Sequence, residues 1–401
     1  MRKKLNIPYG RHSISKADIQ AVSDILRSEF LTQGPVVPKF EQKISDYCHV
    51  EHAIAVGSAT SALHIACLAL GLGPGDWLWT SPITFVSSAN CGLYCGAFVD
   101  FVDIDSSTLN MSPEELEKKL IFAKSNGKLP KVVVPVHMSG QSCDMHAIYL
   151  LSEKYGFKII EDASHAIGAK YKGDPVGNCR YSDITVFSFH PVKIITTGEG
   201  GMALTKSQSL AHKMNLLRSH GICRNEAEMD LRPIDEIWNY QQIDLGFNFR
   251  MTEIQAALGL SQLQQLDSFV SIRRSIAEFY ENALSLVEIN TPWQHPDTHS
   301  SFHLYPIRIT ELSGISQKEL YQAMTGKGIK VNVHYIPVYL QPYYARMGFK
   351  PGYCPTAEKY YKSCISIPLY VDMTAEQQKY VVESIKVLCC QKETGHAGSL
   401  L

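Results

Sequence analysis

The sequence predicts an α/β protein in two parts: a large N-terminal domain on a mainly parallel sheet, then a smaller α+β domain. Three observations carry this. At 401 residues the chain exceeds the ~100–200 residues of a single domain. Between His52 and Ser188, short wholly apolar runs alternate with helical patterns, as strands buried on both faces of a parallel sheet require. From about residue 252 that alternation gives way to long helical periodicity. The expected division is 12–251 and 252–395, with residues 1–11 as an arm.

The elements run in order along the chain. "SISKADIQAVSDILRSEF" (13–30) has Ser15 as N-cap and Ile19, Val22, Ile25 and Leu26 at helical spacing. "PKFEQKISDYCHV" reads as a second helix. "HAIAVGSATSALHIACLALGLGPGD" reads as a strand, a Gly-Ser turn and a helix stopped by glycine. Strands come next near 77–80 and 98–102, then in "KVVVPV", and a helix in "MHAIYLLSEKYG" closed by Gly156. "FKIIED" is a strand ending in acids, and "SDITVFSF" is another. "MTEIQAALGLSQLQQLDSFVSIRRSIAEFYENALSL" is a long helical region broken once. "HLYPIRI", "KELYQAMTGKG", "IKVNVHY" and "EQQKYVVESIKVLCC" read as strand, helix, strand and terminal helix, before a polar tail at 395–401.

Composition excludes several classes. An apolar fraction of 45% with 19% charged residues is that of a globular chain, not a disordered one. A net charge of −1 without runs of one sign excludes phosphate-neutralising surfaces, so neither nucleic acid nor membrane is an expected partner. The basic N-terminus has no apolar stretch behind it, unlike a secretory signal. The apolar run 53–73 holds His64, Gly57 and several hydroxyls, and is too interrupted to span a bilayer. Eleven cysteines occur without a CxxC pair, so no metal site is expected, and buried free thiols in a reducing cytoplasm are.

Of four candidate motifs, three carry chemistry. "GLGPGD" (71–76) ends a helix and precedes a strand, the reverse of a dinucleotide-binding turn, and reads as a helix stop. In "AVGSATSAL" (55–63) a strand enters a helix whose first turn is rich in hydroxyls; it either caps itself or holds a phosphate. In "KIIEDASHA", Asp162 ends an apolar strand, where it either caps a following helix or faces a ligand. In "SFHPVKIITTGEGG", Lys193 stands among apolar and small residues, either snorkelling at a strand end or kept reactive by its surroundings. Pyridoxal 5′-phosphate (PLP) chemistry needs all of these on one scaffold: an amine for the aldehyde, an acid for the pyridine nitrogen and a phosphate cradle. It also needs an aromatic ring such as Phe85 to stack on the cofactor. The glycines after Lys193 would then be close-packed backbone beside the planar cofactor.

"GSATSAL", "TFVSSAN", "EDASHAIGA", "SFHPVKIITTGEGG", "LGFNFRMTEIQAALG", "VHYIPVYLQPYY" and "IPLYVDMT" occur in the order and spacing of the DegT/DnrJ/EryC1/StrS sugar aminotransferases. The chain resembles that family from about Ile7 to Leu388. The resemblance implies PLP-dependent fold type I and a homodimer with shared active sites. Lys193 would form the Schiff base and shuttle the proton, Asp162 would pair with the pyridine nitrogen and Phe85 would stack on the ring. Ala59, Thr60 and Ser188 would bind the phosphate, with Asn248 reaching it from the partner subunit, and His165 would lie near the phenolic oxygen. Tyr9, the stretch Glu29, Phe30, Leu31 and Thr32, and the stretch Asn332, Val333, His334 and Tyr335 match substrate-contacting segments. Ser164 stands where the family commonly has alanine.

The implied reaction moves the amino group of L-glutamate to the ketone of a nucleotide-linked sugar. "LTQGP" and "SATSAL" resemble the branch that aminates C4 of a UDP-linked 4-keto-6-deoxy-N-acetylhexosamine in pseudaminic acid biosynthesis. Other nucleotide-linked ketosugars (dTDP or GDP 4-keto, or 3-keto) stay open as substrates. The dehydrating branch lacks the lysine that this chain has at 193. A non-catalytic binding or regulatory protein on the same fold is the remaining alternative.

Overall fold

The computed structural model describes residues 6–225, 227–230 and 236–389. The polar tail, the start of the arm and Cys390 of the expected terminal helix lie outside them.

Seven strands form the large sheet: β1 (His52–Val56), β2 (Trp77–Thr80), β3 (Phe98–Phe101), β4 (Val132–Val134), β5 (Lys158–Asp162), β6 (Ile184–Ser188) and β7 (Gly201–Thr205). Their spatial order is β1-β7-β6-β5-β4-β2-β3. β2 to β6 pair in parallel, whereas β7 lies antiparallel between β6 and β1. Alternation along each strand sends side chains to opposite faces. Ile54, Val56, Ile160 and Val186 pack in one core, and Ala55, Phe187 and Met202 in another.

β7 is not among the expected strands, because glycines 198, 200 and 201 hide its start. The reason for Gly201 is steric: a Cβ there would run into Ala59 N and the Ser58 carbonyl. This corrects the expectation that the cluster packs beside a planar cofactor. Gly201 instead backs the first turn of the helix after β1, and Gly198, at φ +81°, has open space around its Cβ position.

The helices that matter for the site are α1 (Lys16–Leu26), α2 (Val36–Cys48), α3 (Ala59–Ala69) and α4 (Ser87–Tyr94). Ser15 caps α1 in a reciprocal pair with Asp18, as its position predicts. The apolar stripe of α1, however, does not enter this chain's core: Ile19 and Leu26 are both 60% exposed. The long helical region breaks between Leu263 and Leu266, as expected. Its second half, 266–284, contributes Leu266, Phe269 and Val270 to the large core and Ile276, Tyr280 and Leu284 to a C-terminal one.

A three-stranded antiparallel sheet, Ile289–Asn290, Tyr305–Ile309 and Cys364–Ile367, serves that second core. The expected strand "IKVNVHY" is a correction. Among the described residues it makes only single bridges, Ile329 to Ile7 and Asn332 to Ser366, and "CISI" fills the sheet instead. The Asn332 side chain accepts the Val333 N–H at 2.9 Å, which competes with a ladder and turns the chain. All ten described cysteines are free and buried. Among the described residues no helix is long and apolar enough to cross a membrane.

Candidate active site

Parallel strands deliver their C-terminal ends to one edge of a sheet, and here β5 and β6 end at Asp162 and Ser188. β1 leads into α3 at the same edge. A cavity of about 550 Å³ lies there, lined by Ala59, Thr60, Phe85, Asp162, Ser188 and Lys193 among others. A cleft of about 820 Å³ lies elsewhere, lined by a mixture of Asp267, Glu278, Lys170 and Arg274. The smaller cavity is the one that joins a buried acid to an amine.

The alternatives left open by the sequence resolve by contact. No helix follows β5, so Asp162 caps nothing. Its Oδ2 accepts from Ser88 Oγ at 2.6 Å and its Oδ1 from the Ser164 N–H at 3.1 Å, and the side chain is buried. Ser58 does cap α3, accepting the Ser61 N–H at 3.1 Å. Ala59 and Thr60, at the first turn with its free N–H groups, line the cavity. Lys193 faces the cavity and makes no ion pair among the described residues. Burial pushes its ammonium down to about 8, against the Asp162 charge, which acts in the opposite sense. Phe85 offers a ring that is 59% exposed.

Chain from the C-terminal part and the arm forms the opposite wall, bringing Tyr9, Asn332, Val333, His334 and Tyr335 to the cavity. The Tyr9 and His334 rings lie 5.5 Å apart. His334 Nδ1 meets Ser366 Oγ at 2.8 Å, and burial, then Lys193, pushes its pKa down to about 4. His165 Nε2 lies 3.2 Å from Tyr335 Oη across the cavity wall. The donor set fits PLP: a fixed carboxylate for a ring nitrogen, an unpaired amine for an aldehyde, a helix start with Ser188 for a phosphate, and an exposed ring to stack.

Five expected residues are not brought here within one chain. Glu29, Phe30, Leu31 and Thr32 are exposed, and the Glu253 N–H donating to Leu31 O and the bridge from Thr32 to Thr252 tie this stretch to the start of the helix Glu253–Leu263. Asn248 bridges Ser219, between the stacked rings of Phe247 and Phe249. Conversely, three contributors are missing from the expected set. Ser88 fixes Asp162, and it could have been noticed because it lies in "TFVSSAN" beside Phe85. His303, whose ring is 4.4 Å from His165, is buried with an unpartnered Nδ1; an imidazole opening an apolar strand was its only signal. Ser139 reaches His165 through its backbone, which no side-chain pattern reveals.

A model of the DegT/DnrJ/EryC1/StrS aminotransferase family matches residues 12–386. The spore coat polysaccharide biosynthesis protein SpsC of Bacillus subtilis is 38% identical, over 95% of this chain and 96% of its own. The UDP-4-amino-4,6-dideoxy-N-acetyl-beta-L-altrosamine transaminase of Campylobacter jejuni is 35% identical, over 98% and 100%. Among solved structures, Helicobacter pylori PseC, an aminotransferase involved in the biosynthesis of pseudoaminic acid, matches with TM-score 0.87 and 30% identity, over 96% of this chain and 99% of PseC. The PLP form of Spr1654 from Streptococcus pneumoniae matches with TM-score 0.85 and 29% identity, over 96% and 99%. The fold is that of the fold-type-I PLP-dependent aminotransferases. The chain belongs to the DegT/DnrJ/EryC1/StrS aminotransferase family.

Proposed function

We propose that this aminotransferase uses PLP to move the amino group of L-glutamate to the C4 ketone of a UDP-linked 4-keto-6-deoxy-N-acetylhexosamine, the chemistry of pseudaminic acid biosynthesis. The observation that carries the reading is the unpaired Lys193 amine in one cavity with the fixed carboxylate of Asp162. The names of the Campylobacter and Helicobacter relatives support the sugar and the pathway.

When bound, PLP supplies an aldehyde that captures amines and a ring that takes up the electron pair left by a departing proton. The chain does the rest. Asp162 would hold the pyridine nitrogen protonated, and Ser88 and the Ser164 N–H keep its oxygens in place. Ala59, Thr60 and Ser188, which line the cavity, would hold the phosphate, and Phe85 would stack on the ring. Lys193, with its ammonium pushed down to about 8, is neutral often enough near physiological pH to lift the proton from the Cα of glutamate. In the second half-reaction the same amine returns a proton to the sugar's C4.

We place Asn248 of the partner subunit at the phosphate and the partner subunit's Glu29, Phe30, Leu31 and Thr32 near the sugar, in a homodimer. The outward apolar surface of Ile19 and Leu26, with Trp238 at 74% exposed, supports a covered face. Ten buried free thiols support a cytoplasmic setting. The seven-stranded sheet within 52–205 and the three-stranded sheet within 289–367 support the division at 251/252, and a small sheet pairing Thr298–His299 with Lys170–Tyr171 joins the two parts.

SpsC, at 38% identity, favours a second reading with another nucleotide-linked ketosugar as acceptor. Assaying 2-oxoglutarate release from L-glutamate against UDP-, dTDP- and GDP-linked 4-keto and 3-keto sugars separates the two. Preference for the UDP-linked 4-keto-N-acetyl sugar is expected; preference for a dTDP or GDP sugar overturns the first reading.

A further inference from the structure

His165 accepts the backbone N–H of Ser139 on Nδ1 at 3.3 Å. A backbone amide can only donate, so Nδ1 carries no proton. Burial first, then Lys193 and His334, hold His165 well below the ordinary imidazole value, so the ring is neutral. Its one proton is therefore on Nε2, and Nε2–H donates to Tyr335 Oη at 3.2 Å. Burial, then the Asp162 charge, pushes the Tyr335 phenol up, so it keeps its own proton. That O–H has to find an acceptor of its own, and among the described residues no protein atom takes it. Tyr335 lines the cavity that holds Lys193 and Asp162.

The parts behind this relay are held tightly. Ser301 Oγ donates to His165 O at 2.9 Å, and the Ser301 and His303 N–H groups donate to Gly140 O at 3.2 Å and Ser139 O at 2.8 Å on the turn that presents Ser139. Gly140, at φ +100°, has no room for a Cβ, which would sit 2.6 Å from Ser301 Oγ and 3.0 Å from His165 O. The His303 ring, 4.4 Å from that of His165, supports it further.

We propose that Tyr335 is a fixed-direction hydrogen-bond donor to an oxygen of the bound reactants, with Ser139 and His165 as the positioning residues that set the direction. The acceptor is an oxygen with a free lone pair: the cofactor's phenolate, a substrate carboxylate or the sugar ketone. Its kinetic consequence rests on the aminotransferase reading; the proton position does not.

The test is a double-mutant cycle in the full chain. In His165→Gln the amide can accept from Ser139 and still donate to Tyr335. In His165→Glu both oxygens accept, and the Tyr335 O–H turns to the carboxylate. Tyr335→Phe is expected to lower kcat about tenfold in the wild-type and His165→Gln backgrounds, but less than about twofold in His165→Glu. Equal losses in the Gln and Glu backgrounds overturn the proposal. A loss in both half-reactions puts the acceptor on the cofactor, and a loss in one puts it on that substrate. The second arm needs neither cofactor nor turnover. Nitrogen NMR of isotope-labelled histidine, with His165→Gln assigning the signal, is expected to show His165 protonated on Nε2 alone at neutral pH. A proton on Nδ1 overturns the proposal. A wild-type protein without transaminase activity would sink the aminotransferase reading and leave this second arm to decide.

Discussion

Glu161 and Asp162 are neighbours on one strand, both carboxylates and both buried, yet they serve opposite ends. Alternation sends them to opposite faces of the sheet. Glu161 is enclosed by donors: His137 Nε2 at 2.7 Å, Thr185 Oγ1 at 3.0 Å and Ser182 Oγ. Burial alone would raise its pKa, but those bonds outweigh it and hold the carboxyl below its ordinary value. Asp162 is held by two donors and faces a cavity that contains an amine. A saturated acid is part of the framework; an acid fixed beside an open cavity is available to a ligand.

The largest effect that sharpens this contrast lies on the cavity side. Lys193→Ala is expected to lower turnover by ~10⁴-fold, the upper range for a positioned proton-transfer group, and full activity in that variant would break the account. Asp162→Asn is expected to cost ~10²–10³-fold in kcat, the scale for one charge-stabilising group, with the melting temperature almost unchanged. Glu161→Gln should behave the other way round, losing ~3 kcal/mol of stability in denaturant titrations while kcat in the folded protein holds. The sign with pH comes from the lowered pKa. The Glu161 contribution is present above the unfolded-state carboxyl pKa and is lost as pH falls through the folded one, so wild type and variant should converge in acid. The smallest expected effect is Ser88→Ala, about tenfold in kcat from the loss of one bond to Asp162.

Much of this was legible in the sequence because it is local. The apolar runs ending at Asp162 and Ser188, and the turn before Ala59, each state their strand and its end in a few residues. The Lys193 segment is equally self-contained. The features that stayed hidden are non-local. Gly201 reads as loop until Ala59 and Ser58 are seen pressed against it. "IKVNVHY" has a strand's residues, but Asn332 spends its side chain on its own backbone and Cys364–Ile367 takes the place in the sheet. His303 and the Ser139 amide act on His165 from distant segments. The exposed stripe of α1 obeys helical spacing without saying what covers it.

The central claim is that Lys193 is the amine that meets the cofactor, and it can be read chemically. Loading the full chain with PLP, reducing with borohydride and sequencing the peptides by mass spectrometry should place the pyridoxyl group on Lys193. In competitive acylation of the apo protein, the same amine should titrate near its lowered pKa of about 8. A pyridoxyl group on any other lysine, with Lys193 unmodified, would contradict the account.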